Sequence, residues 1–144
     1  MAKYDKKLKH YKAYISRLKL FAKAMNIRVT FDDIDEDGLW IPSTRRIRIN
    51  KDSSQSVKVA SLLHELGHSM DDMLTTPYKE AMKVHRAYGS IYTKRFLQSQ
   101  RSLVLKIERN AWRISLDIAS RLHIRLGFWF YEFKRVCLYT YRKL

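Results

Sequence analysis

The apolar positions of this chain change period from one block to the next. Tyr4, Leu8, Tyr11, Ile15, Leu18, Ala22 and Met25 follow one another in steps of four and three, which draws a single stripe along a helix over 3–25. The period drops to two in IRVTF, residues 27–31, and predicts a strand. LWIPSTRRIRIN, residues 39–50, reads as a hairpin. Residues 39–41 form one arm, Pro42-Ser43-Thr44 turns, and 46–50 returns with Ile47 and Ile49 on one side and Arg46 and Arg48 on the other.

Helical spacing then resumes. Asp52 followed by Gln55 resembles a capping box and predicts a helix to about Leu74, with Val59, Leu62, Leu63, Leu66, Met70 and Met73 toward the core. Thr76-Pro77 stops it and starts another over 78–98, weakest at Gly89. A further helix over 101–125 carries Val104, Ile107, Ala111, Ile114, Ile118 and Leu122, and Gly127 interrupts it. The aromatic, basic tail 128–144 fits a helix packed through Phe130, Phe133, Cys137, Tyr141 and Leu144, with a membrane-surface segment as the alternative. The pattern therefore predicts one α+β domain, 1–144, mainly helical. A small antiparallel sheet over 27–50 should pack beside helices spanning 55–125.

Composition changes this picture in one respect. Lys plus Arg number 29 against 14 Asp plus Glu, a net charge of +15, which favours an anionic partner and makes nucleic acid a candidate. Lys3, Lys6, Lys7, Lys9, Lys12, Lys19 and Lys23 lie on or beside the polar face of the first helix. The single cysteine, Cys137, excludes an intrachain disulfide. No apolar h-region opens the chain and no apolar run is long enough to span a bilayer, so a cytoplasmic location is expected. The acidic patch Asp32, Asp33, Asp35, Glu36 and Asp37 lacks the ordered ligand spacing and distal Glu of a calcium loop, and is expected to be a solvated turn.

The candidate chemistry lies in LHELGHSMDDM, residues 63–73. His64 and His68 stand four apart, one turn along the same helix face, so both imidazoles can meet one cation. Glu65 lies about 100° around the helix from His64, where a carboxylate can reach a water beside the metal without ligating the metal itself. Gly67 lets another helix approach. Zinc in an open catalytic site needs a third protein ligand. Leu74 stands where a metzincin would have its third histidine. Asp71 and Asp72 are carried away by their own helix. His85 lies on the next helix. Glu108, in KIERNAWRIS, has small residues three and seven on, Ala111 and Ser115, a flank that lets its helix lie against Gly67.

The hairpin GLWIPSTRRIRIN, then HELGH, then ERNAW resembles the gluzincin metallopeptidases of the ImmA/IrrE kind and related small phage-borne zincins. The resemblance covers about 27–118. It implies a zinc site with His64, His68 and Glu108 as ligands, Glu65 as catalytic base, and a protein or peptide as substrate. It would also place strand 46–50 as the edge over the metal, where a substrate peptide could add as a further strand. The chain departs from the family in its long interval between His68 and Glu108 and shows no helix-turn-helix. Tyr78, His85, Tyr88 and Tyr92 on the intervening segment could donate to an oxyanion, with His85 the preferred candidate. Two alternatives stand beside the peptidase. One is a SprT-like protease acting near nucleic acid with His85 as third ligand, although VHRAYG lacks the H-G-x-x-F context expected there. The other is a non-catalytic, zinc-stabilised module that binds nucleic acid or protein.

Overall fold

The computed structural model describes residues 3–74 and 101–142. The expected helix over 78–98, with Tyr78, His85, Gly89, Tyr88 and Tyr92, lies outside the described residues. The described elements run α1 (Lys3–Ala24), β1 (Arg28–Asp32), β2 (Gly38–Ile41), a single 3-10 turn (Pro42–Thr44), β3 (Arg46–Asn50), α2 (Gln55–Leu74), α3 (Arg101–Arg121) and α4 (Phe128–Arg142). The architecture is α+β and mainly helical, as the pattern predicts.

The sheet differs from expectation in one way. It is mixed, not antiparallel, in the order β1-β3-β2. β2 and β3 form the predicted hairpin, with Trp40 opposite Ile47, while β1 joins the far side of β3 in parallel, Thr30 opposite Arg48. Among the described residues, strand β3 is therefore central and β2 is an edge. Charge supports this pairing. Asp32 Oδ2 accepts from Arg46 Nη2 at 3.0 Å and Arg48 Nε at 2.9 Å, and also from the Thr30 hydroxyl. The Thr30 bond and the two guanidiniums hold the Asp32 carboxyl below the usual carboxylate range. The acidic patch thus opens with a strand residue that is already engaged, and Asp33, Asp35, Glu36 and Asp37 are exposed on the turn beyond it.

Side chains alternate across β3 as a half-buried strand requires. Ile47 and Ile49 are fully buried on the face toward the helices. Helix α2 runs through the centre of the molecule, and every residue from 59 to 69 is buried. A helix enclosed on all sides should be apolar throughout. In α2 the polar exceptions Ser61, His64, Glu65, His68 and Ser69 interrupt Val59, Leu62, Leu63 and Leu66. One hydrophobic cluster joins Leu18 and Ala22 of α1, the isoleucines of β3, α2, Trp112 and Ile118 of α3, and Phe130 of α4.

The helix ends have identifiable chemistry. α2 begins after Ser54, whose carbonyl accepts Lys58 N–H at 2.9 Å and whose hydroxyl receives Val57 N–H at 3.4 Å. Ser54 is therefore the N-cap, and the Asp52–Gln55 box does not form; Asp52 N–H instead donates to the Asn50 side chain. α1 and α3 close alike: Asn26 (φ 59°) and His123 (φ 55°) adopt the left-handed conformation, and the next residue, Ile27 or Ile124, donates back to Ala22 or Ala119 at 2.8 Å. This is the six-to-one bond of a Schellman cap, with the following isoleucine buried beside it. α3 thus stops at Arg121, short of the predicted 125, and Gly127 precedes α4 without interrupting α3. Phe128–Arg142 of the tail forms a helix packed through Phe130, Phe133 and Cys137, as expected, while the side chains of Tyr141 and Leu144 lie outside the described residues; Phe128, Tyr131 and Tyr139 stay exposed along its outer side. Among the described residues no helix is long and apolar enough to cross a membrane.

Candidate metal centre

The site exists because α2 and α3 come unusually close. A Cβ built on Gly67 would fall onto the carbonyl oxygen of Ala111 and lie 2.8 Å from its carbonyl carbon. Only a residue without a side chain lets the two backbones meet there. Glu108 lies one turn before Ala111 on α3, and His64 and His68 lie either side of Gly67 on α2, so the approach delivers the carboxylate to both imidazoles.

The contacts are short. His64 Nε2 is 2.8 Å from Glu108 Oε2, and His68 Nε2 is 3.2 Å from Glu108 Oε1. The two Nε2 atoms are 3.1 Å apart. His64, His68 and Glu108 are 8%, 3% and 1% exposed. Among the described residues this is the one trio of ligand-type groups within reach of a shared ion, and it could hold a metal. The acidic patch near residue 35 gathers no such cluster.

Burial alone would push Glu108 to its neutral form, but the charges of His68 and His64 and their hydrogen bonds outweigh it. The carboxyl is held well below its ordinary range. His68 answers in the opposite sense. Burial opposes its charge, yet the Glu108 carboxylate, aided by Glu65 and Asp71, raises it from 6.5 to about 9. In the metal-free protein His68 and Glu108 therefore form a buried ion pair at neutral pH. A raised folded-state pKa stabilises fully below the unfolded value of 6.5, and that contribution is lost as pH rises through 9. Thermal melts of metal-free protein should accordingly weaken between pH 6.5 and 9, whereas metal-loaded protein, which needs neutral His68, should not follow that decline. A flat metal-free profile would contradict the pairing.

Glu65 stands apart from the trio. It lies under edge strand β2, its Cγ 3.1 Å from where a Cβ on Gly38 would project, and the backbone N–H of Trp40 donates to its carboxylate. Burial raises its pKa. The charges of His68 and His64 pull it back, Glu108 pushes it up again, and the Trp40 bond lowers it, with burial prevailing. A carboxylate made more basic in this way is a better proton acceptor near neutrality.

Two supports were not foreseen from sequence. The Trp112 ring stacks on His64 at 4.1 Å and 20°. Phe130 and Phe133 of α4 in turn meet Trp112 edge-on, at 5.4 and 5.9 Å. The aromatic tail thus braces a candidate ligand through one intermediate ring; the only sequence signal was the Trp that closes ERNAW. The second is β2, which takes the edge position expected of residues 46–50. Asp71, expected to point elsewhere, stays outside the trio but is fully buried and adds its charge to the field on His68. His85 lies outside the described residues. Comparison with family models, with curated proteins and with solved structures finds no match.

Proposed function

We propose that this protein is a zinc-dependent peptidase with His64, His68 and Glu108 as metal ligands and Glu65 as general base. The observation that carries the reading is a buried trio of two imidazoles and a carboxylate, with a second carboxylate beside it but outside it. Two histidines and one glutamate form a ligand set that suits zinc and leaves a fourth position open. Tetrahedral zinc with bonds of about 2.1 Å would hold neighbouring ligand atoms about 3.4 Å apart. The separations of 3.1 and 3.2 Å lie near that, while the His64–Glu108 separation of 2.8 Å would have to open on binding. A purely structural site has no use for a second, non-ligating carboxylate.

Zinc bound there would supply Lewis acidity, polarising a substrate carbonyl and lowering the pKa of water to about 7. The remaining work belongs to the chain. Glu65 accepts the proton of the attacking water and then delivers it to the leaving amine. Trp112 keeps the His64 ring from rotating. The outer edge of β2, unpaired among the described residues, passes Glu65 through Trp40 and offers main-chain hydrogen bonds to an extended substrate segment. In this reading β2 takes the role first given to residues 46–50. His85 keeps its place as a candidate oxyanion donor or, in the SprT-like alternative, as third ligand.

Metal analysis separates these assignments. Wild type and His85→Ala should each retain stoichiometric zinc, and Glu108→Ala should lose it. Zinc retained in Glu108→Ala and lost in His85→Ala would transfer the third ligand to the histidine. Absence of zinc from the wild type, purified without chelator and resupplied with the metal, would remove the peptidase reading altogether.

A further inference from the structure

Independently of the peptidase reading, the end of the molecule where α1 meets the start of β1 contains a groove of about 950 Å³. Lys19 and Lys23 of α1, Arg28 of β1 and Arg45 after the 3-10 turn line it, together with the hydroxyls of Ser43 and Thr44. Among the described residues no carboxylate does. Its apolar part is formed by Ile27, Val29 and Leu20, the last 68% exposed. The acidic patch leaves from the opposite end of β1.

The walls are fixed. Arg45, itself in the left-handed conformation (φ 48°), donates to the carbonyls of Met25 at 2.7 Å and Asn26 at 3.2 Å. That clamps the β2–β3 turn to the C-terminus of α1. It also answers the partial negative charge of that helix end, which would otherwise repel an anion. The groove continues as a track. Lys12, Ser16, Lys19 and Lys23 are all exposed, and their spacing of four, three and four aligns them on one face over about 16 Å of helix. On the sheet side, Lys19 and Lys58 both approach the Phe31 ring, at 5.8 and 5.9 Å.

We propose that this groove and track bind a strand of single-stranded nucleic acid through its phosphodiester backbone. Lys, Arg, Ser, Thr and Asn are the side chains that contact phosphate and sugar, and the lining contains them without an acid among them. A linear row of cations fits a polyanion better than one small anion. A concave channel with apolar walls admits a single strand with its sugars and bases, while a duplex or a lipid surface could touch only the rim. Among the described residues no aromatic ring lines the groove, so binding should depend on salt and show little sequence preference.

The test is fluorescence anisotropy of labelled oligothymidylate with the full chain over a range of salt concentrations. The triple variant Lys19→Ala/Lys23→Ala/Arg28→Ala should bind at least roughly tenfold more weakly. Its slope of log affinity against log salt should fall by about two, from about 0.7 per lost phosphate contact on a single strand. The control Lys106→Ala/Arg113→Ala/Arg121→Ala removes the same charge from exposed positions on α3 and should bind like the wild type. Both triples should melt like the wild type and keep its metal content, which separates this result from any failure of the metal centre. Equal weakening in the two triples would overturn the proposal, because bulk charge would then suffice. So would failure of the wild type to bind, or equal affinity at the same salt for duplex DNA, polyglutamate or phosphatidylglycerol vesicles.

Discussion

Glu65→Gln should leave zinc content at the wild-type level and lower peptide hydrolysis by roughly 10²–10⁴-fold, the range a positioned acid–base group contributes. The substitution is nearly isosteric, so the tight fit beneath Gly38 is kept. The glutamine carbonyl can still accept from Trp40 N–H, as the carboxylate does. The metal trio does not include Glu65, so nothing in the ligand set changes. What disappears is the carboxylate beside the trio that could take a proton from water and return it to an amine. Cleavage of a fluorescently labelled unfolded protein, with metal measured on the same samples, reads both quantities. Wild-type cleavage by the zinc-loaded variant would remove Glu65 as base; loss of zinc with loss of cleavage would mean that it supports the metal.

Local patterns were legible in the sequence, and non-local pairings were not. The stripe of α1 survives as Tyr11, Ile15, Leu18 and Ala22 against the core, because amphipathic spacing is written in consecutive residues. The hairpin was legible for the same reason. The parallel attachment of β1 was not, since it depends on Asp32 meeting Arg46 and Arg48 across the sheet, a contact fourteen to sixteen residues away. The error about the edge strand followed from it. Periodicity also gave α2 one buried side, whereas α1, the sheet, α3 and α4 enclose it. The end of α3 was misplaced because His123 occupies the left-handed cap position that glycine usually holds. At the site, H-E-x-x-H showed the two histidines and the interposed glutamate directly. Glu108 was reachable only through the small residues beside it and the weak ERNAW resemblance. Trp112 could not be placed on His64, because stacking depends on how α3 is rotated against α2.

The small residues carry the other large effect. Gly67→Ala should destabilise the fold and weaken zinc binding by at least roughly 100-fold, the upper range for losing a supporting contact around a metal. In an exposed helix the same change would stabilise by about 1 kcal/mol. Here the new methyl meets backbone, the carbonyl oxygen, carbonyl carbon and Cα of Ala111, and backbone cannot rotate aside as a flexible side chain would. Relief requires α3 to move outward, and overpacking of this kind costs about 1–3 kcal/mol or more. Any such movement draws Glu108, one turn away on the same rigid helix, from His64 and His68. Metal bonds tolerate only about 0.2 Å of misplacement, so a shift too small to unfold the protein still opens the trio. The variant should therefore lose metal affinity by more than its melting temperature alone would suggest. Titration of apo protein with zinc against a competing chelator, beside thermal melts, measures the two losses separately. A variant that melts lower but binds zinc as tightly as the wild type would show that the close approach of α2 and α3 serves packing and does not position Glu108.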